Sequence, residues 1–179
     1  MIVLWYASRA AGLLALLLLT ASMVLGALTA GRASSPGWPR FTVAALHRNL
    51  TLLTVLFVAV HVATAVLDDY VVLRWQDVLL PFLSAYDPFW AGLGAAALDL
   101  LVALLVTSLL RTRIRPRVWR AVHWAAYLCW PVAVLHGFGI GGGGNIRSGW
   151  GVAVVIACVA AVGGAVVWRA GTRRAWATR

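Results

Sequence analysis

Four histidines are the only imidazoles in the chain, and they fall as two spaced pairs. His47 and His61 bracket the run HRNLTLLTVLFVAVH, while His123 and His136 bracket HWAAYLCWPVAVLH, which is apolar or aromatic at every position between them. A neutral imidazole ligates a metal through one ring nitrogen while a backbone carbonyl commonly holds the other, an arrangement suited to apolar surroundings that penalise a protonated ring. The spacings are 14 and 13 residues, or roughly 20 Å of helix, most of the thickness of a bilayer's hydrocarbon core. If the two runs cross a membrane side by side in the same direction, the histidines form two level pairs, His47 with His123 and His61 with His136. Each pair would then suit the two axial positions of a b-type haem iron. A lone intramembrane histidine is more simply read as an interhelical hydrogen bond, but four in matched pairs favour ligation. Zinc fits poorly, because a structural site needs four close ligands and no cysteine or carboxylate falls at either level.

The rest of the chain must position these four side chains. Of its 179 residues 63% are hydrophobic and 11% charged, with a mean hydropathy of +0.90, which excludes an ordinary soluble domain. Five segments are long enough to span: about 3–30, 41–66, 88–110, 118–138 and 150–169. The expected fold is therefore all-α, a polytopic membrane bundle of five transmembrane helices. Residues 1–30 also resemble a secretory signal, but the apolar run is long for one, and cleavage would leave an arginine-bearing loop outside.

All fifteen basic residues are arginine and all five acidic ones aspartate. The net charge of +10 does not mark a nucleic-acid partner, because the arginines cluster at the ends of apolar segments rather than on one polar face. They act as topology signals. Arg32, Arg40 and Arg48 surround the first connection, RTRIRPRVWR carries five arginines at the third, and Arg169, Arg173, Arg174 and Arg179 mark the C-terminus. These ends belong inside. The second connection carries Asp68, Asp69, Asp77 and Asp87 against Arg74 alone, and the fourth holds only Arg147, so both face outward, with the N-terminus outside and the C-terminus inside. DDYVVLRWQDVLLPFLSAYDPFW reads as an outer hairpin on the membrane surface.

Other residues carry weaker signals. Arg48 and Arg120 lie within a turn of the inner histidines, where a guanidinium can pair with haem propionates. Phe57, Trp124, Tyr127 and Trp130 supply aromatic bulk between the two levels, Phe57 and Trp130 being the better candidates to lie between porphyrins. Asp99 sits midway along the third segment, where a carboxylate is costly; hydrogen bonding to a neighbouring helix is the first reading and a proton or quinol role the second. Cys129 and Cys158 read as small core residues. Gly92, Gly94, Gly163 and Gly164 are expected to permit close helix or porphyrin contact. GFGIGG, from Gly137, matches G-x-G-x-x-G only formally and is expected to be an outer loop. At 100° per residue the 13-residue spacing leaves His136 about 140° round the helix from His123. Pro131 is the expected place for a kink or rewinding that corrects it.

The run TSLLRTRIRPRVWRAVHWAAYLCWPVAVLH resembles the ferric reductase-like transmembrane domain family, which includes the membrane halves of NADPH oxidases and ferric reductases and the haem subunit of periplasmic methionine sulfoxide reductase systems. Thr107-Ser108, the arginine cluster, Trp119-Arg120, His123, Tyr127 and His136 match its pattern in order, LHRNL fits the start of the second segment, and H-x13-H with H-x12-H are the family's haem-ligating spacings. The similarity covers about residues 40–138. It implies two haems b per chain, an inner one on His47 and His123 and an outer one on His61 and His136. With no flavin or nicotinamide domain following the last segment, residues 1–179 are expected to form a single haem domain. It would sit in the plasma membrane among lipid and take electrons from a separate flavin-containing or other reductase partner. A quinone-linked haem subunit of a periplasmic reductase system is the alternative within redox chemistry. A haem-free structural or transport protein is the alternative from another class.

Overall fold

A computed structural model describes residues 2–31, 33, 38–69, 73–140 and 149–177. The described elements are all helical: α1 (Ile2–Ala30), α2 (Arg40–Val66), α3 (Trp75–Leu79), α4 (Pro88–Leu109), α5 (Pro116–His123), α6 (Ala126–Gly139) and α7 (Trp150–Ala177). Four helices are long and apolar enough to cross a membrane: Val3–Ala30, Arg40–Val66, Pro88–Leu109 and Trp150–Thr172. The chain is a multi-pass membrane protein.

The expected fourth span, 118–138, is divided. Pro116 begins α5 behind an extended Arg115, as suits a proline whose missing N–H falls in the first turn. α5 ends at His123, and α6 starts three residues later. Across the join the Ala125 N–H donates to the Val122 carbonyl (2.8 Å), Tyr127 to Trp124 (3.1 Å) and Leu128 to Ala125 (3.0 Å). These three-residue steps are 3₁₀-like, turning about 120° per residue instead of 100°, so they advance His136 round the axis in the direction that closes the angular deficit. The expected site of correction, Pro131, instead lies inside a continuous α6. The backbone is rewound beside the ligand, not at the proline.

Packing is pairwise. α1 lies along α2, α4 along α6, and α1 also meets α6 and α7. Small residues make the first approach possible: Gly12 and Gly26 of α1 face His61 and His47 of α2, and in lipid close backbone packing replaces the hydrophobic drive between helices. Leu16, Trp130, Val134, Cys158 and Val162 form one core joining α1, α6 and α7, and Leu101, Leu104 and Cys129 a second joining α4 to α6. Trp130 Nε1 donates to Thr20 Oγ1 at 3.0 Å, so this tryptophan locks α6 to α1. Both cysteines are buried and free.

The second connection holds the short α3. Its Asp77 accepts the Arg74 backbone N–H at 3.0 Å and meets the guanidinium at 3.2 Å, with only 1% of the Asp77 side chain exposed. Those contacts, the backbone N–H first, hold the Asp77 carboxyl below the usual range. Phe82, in the left-handed region at φ 68°, lays its ring where a Cβ on Gly92 would stand. Glycine there lets the loop close onto α4.

Candidate cofactor site

Three helices carry the histidines and two more, α1 and α4, hold them. His47 and His61 project from α2, His123 ends α5, and His136 lies near the end of α6. The His47 and His123 ring centres are 6.4 Å apart, and those of His61 and His136 are 6.2 Å apart, with interplanar angles of 81° and 72°. Two imidazole–metal bonds of about 2 Å each, with a little over 1 Å from each nitrogen to its ring centre, make a separation of roughly 6.3 Å. Both pairs have the spacing of two rings sharing one metal ion. The two levels are 14 residues apart along α2, about 21 Å at 1.5 Å per residue.

The hydrogen bonds set the tautomer. His47 Nδ1 lies 2.9 Å from the Ser22 carbonyl, His61 Nδ1 2.8 Å from the Ser8 carbonyl, and His136 Nδ1 2.8 Å from the Trp90 carbonyl. A carbonyl can only accept, so each Nδ1 carries the hydrogen and each Nε2 keeps its lone pair. The Ser8 hydroxyl also lies 3.2 Å from His61 Nδ1. His123 differs: its Nδ1 is buried without a partner among the described residues, and the Trp119 ring stacks on it at 4.8 Å and 22°.

Glycines face three of the rings. A Cβ at Gly12 would stand 2.9 Å from His61 Nδ1, one at Gly94 2.6 Å from His136 Cε1, and one at Gly26 3.3 Å from His47 Cε1. The donor set is four imidazoles in two pairs, three of them with Nδ1 on a carbonyl and Nε2 left free, and among the described residues no group of three or more His, Cys, Asp or Glu side chains comes together. That is a two-ligand site twice over, which suits a metal whose remaining coordination comes from a macrocycle. The residues fit haem iron.

The other sequence candidates are dispersed. Arg48 and Arg120 are exposed, with no ion pair to either among the described residues. Arg169, on α7, lies over the Trp124 and Tyr127 rings at 4.9 and 5.5 Å and donates to the Tyr127 hydroxyl. Trp130 packs in the core of α1, α6 and α7, and Phe57 is half-buried. Asp99 is exposed on α4, so the expectation of a contact inside the bundle fails; α4 is apolar on every side, and its pattern did not say which side faces inward. Gly94 makes the close contact expected of it, whereas Gly163 and Gly164 have nothing within 4 Å. Gly137 and Gly139 belong to α6 rather than to a loop, and Gly139 is covered by the Trp90 ring; the rest of GFGIGG, beyond residue 140, lies outside the described residues.

What the sequence reading missed was on α1. Ser8–Gly12 and Ser22–Gly26 repeat Ser-x3-Gly at the 14-residue interval that separates His47 from His61, a signal visible without a structure.

Two imidazole pairs inside a bundle of long apolar helices mark a multi-pass membrane protein. Residues 11–138 match the family described as ferric reductase-like transmembrane component, and the chain belongs to that family. The match begins at residue 11, so it takes in most of α1, which the sequence resemblance had left out. No curated protein and no solved structure matches the chain.

Proposed function

We propose that the chain is a di-haem b electron-transfer protein, passing electrons across the bilayer from a separate cytoplasmic flavin or other reductase donor to an acceptor at the outer face. The observation that carries this reading is the pair of ring separations, 6.4 and 6.2 Å, at two levels of one bundle. His47 and His123 would hold the inner haem and His61 and His136 the outer. The haems supply one-electron chemistry when bound. The protein's own part is to keep Nε2 of His47, His61 and His136 unprotonated by holding Nδ1–H on a carbonyl, to orient His123 by the Trp119 stack, and to exclude water with apolar walls. Arg48 and Arg120, within a turn of the inner histidines and exposed, would pair with the propionates. The span count is five, with α5 and α6 together crossing once, the N-terminus outside and the C-terminus inside. The arginines of the first and third connections support this direction.

The test uses sealed vesicles with the protein in one orientation. A reduced flavin supplied on the cytoplasmic side should reduce an impermeant acceptor on the other, and protein-free vesicles should not pass electrons. If only a quinol in the membrane supports the reaction, the quinol-linked reading replaces the flavin-linked one. If the protein passes none from either donor while carrying haem, transmembrane transfer is wrong.

A further inference from the structure

We infer that Gly12, Gly26 and Gly94 are positioning residues, each working with a main-chain carbonyl one turn earlier to fix the rotation of a histidine ring. The inference rests on the haem reading above and deepens it.

The same device occurs three times. A carbonyl at position i accepts from a histidine Nδ1, and a glycine at i+4 leaves room for the same ring: Ser8 and Gly12 for His61, Ser22 and Gly26 for His47, Trp90 and Gly94 for His136. Positions i and i+4 lie on one face of a helix, so acceptor and clearance meet one ring. A helix-interior glycine is disfavoured against alanine, and nothing in helix geometry alone asks for one at these three places. The imidazoles do: a Cβ at Gly12 would fall 2.9 Å from His61 Nδ1 and 3.0 Å from Cε1, and one at Gly94 would fall 2.6 and 2.7 Å from Cε1 and Nδ1 of His136. The hydrogen bond pins one edge of the ring, and the glycine sets how close the helix stands. Together they fix the plane, and the two planes of a pair give the 72° and 81° angles.

The device is unequal between levels. Both outer ligands have it. At the inner level only His47 does, with the looser clearance of 3.3 Å, while His123 has no Nδ1 partner among the described residues and is held by the Trp119 stack. Alanine should therefore disturb the outer site more than the inner, one site at a time.

The experiment compares the full-length wild type with Gly12→Ala, Gly94→Ala, Gly26→Ala and the control Gly163→Ala, whose position has nothing within 4 Å. Haem content is measured together with the electron paramagnetic resonance of the ferric protein, whose low-spin signals depend on the angle between axial imidazole planes. The outer signal is the one missing from His61→Ala. Gly12→Ala and Gly94→Ala should shift or remove the outer signal and leave the inner one unmoved. Gly26→Ala should shift the inner signal by less, and Gly163→Ala should shift neither. The inner signal in each outer-site variant reports folding in the same sample; should Gly12→Ala or Gly94→Ala not accumulate, the milder Gly26→Ala decides, and an unshifted inner signal there overturns the inference. Unshifted outer signals at full haem content in Gly12→Ala and Gly94→Ala, or both signals moving together, overturn it while the haem reading stands. A wild type without haem overturns both.

Discussion

His61→Ala should remove the outer haem and leave the inner one in a folded protein, and the structure says why the fold should tolerate it. The His61 ring is anchored by its Nδ1 bond to the Ser8 carbonyl, 2.8 Å away. That carbonyl lies in the interior of α1 and keeps its place in the helical ladder, so the variant forfeits one net hydrogen bond, about 0.5–1.5 kcal/mol, plus the packing of one ring. This is less than the usual 5–15 kcal/mol of a folded domain. On the proposed reading the outer iron would lose one of its two histidines, while the inner pair, about 21 Å away along α2, would keep both. Haem content should fall from two per chain to one, halving the Soret absorbance per protein. His136→Ala should give the same spectrum, because it removes the other half of the same site. In sealed vesicles either variant should accept electrons from a cytoplasmic flavin yet fail to reduce an impermeant outer acceptor. Loss of different haems in the two variants, or loss of flavin-side reduction in His61→Ala alone, would refute the level pairing.

Other consequences follow from single contacts. Trp130→Phe removes the donor to Thr20 Oγ1 and should lower stability by about 0.5–1.5 kcal/mol in a denaturant titration at unchanged haem content; loss of haem would show that Trp130 serves the cofactors rather than the core. Cysteine introduced at Gly143 should react with an impermeant reagent from outside and cysteine at Arg115 from inside, against a quiet background because Cys129 and Cys158 are buried; the reverse pattern would invert the topology. The Asp77 carboxyl is held low by Arg74, so its contribution is present above the ordinary carboxylate range and is lost as pH falls through its depressed value. Proteolysis of the second connection should thus be constant near neutrality and rise only in strong acid, and Arg74→Ala should move that rise to higher pH. No movement would show that the pair does not hold the loop.

The histidine levels were legible because spacing on a helix converts directly into height, and the four residues are the chain's only imidazoles. Direction round the axis was less legible: the 13-residue interval demanded a correction, and a proline was the visible breaker, but the rewinding lies at Trp124–Ala125, where no residue type announces it. Arg169 escaped because its partners, Trp124 and Tyr127, lie 42 or more residues away, a contact that only packing reveals. Asp99 was misplaced for a related reason, since a helix apolar on every side carries no stripe from which to read its inner face. The Ser-x3-Gly repeat of α1 was readable, and became meaningful once its 14-residue interval was set beside that of the histidines.

The central claim is that two imidazole pairs hold two haems. A reduced-minus-oxidised spectrum of the purified full-length protein after haem-replete expression, with haem and protein quantified in the same sample, tests it most directly. Two haems b per chain, both low-spin because both axial positions are filled, is the predicted result, and a protein with one haem, or with no Soret absorption, contradicts it.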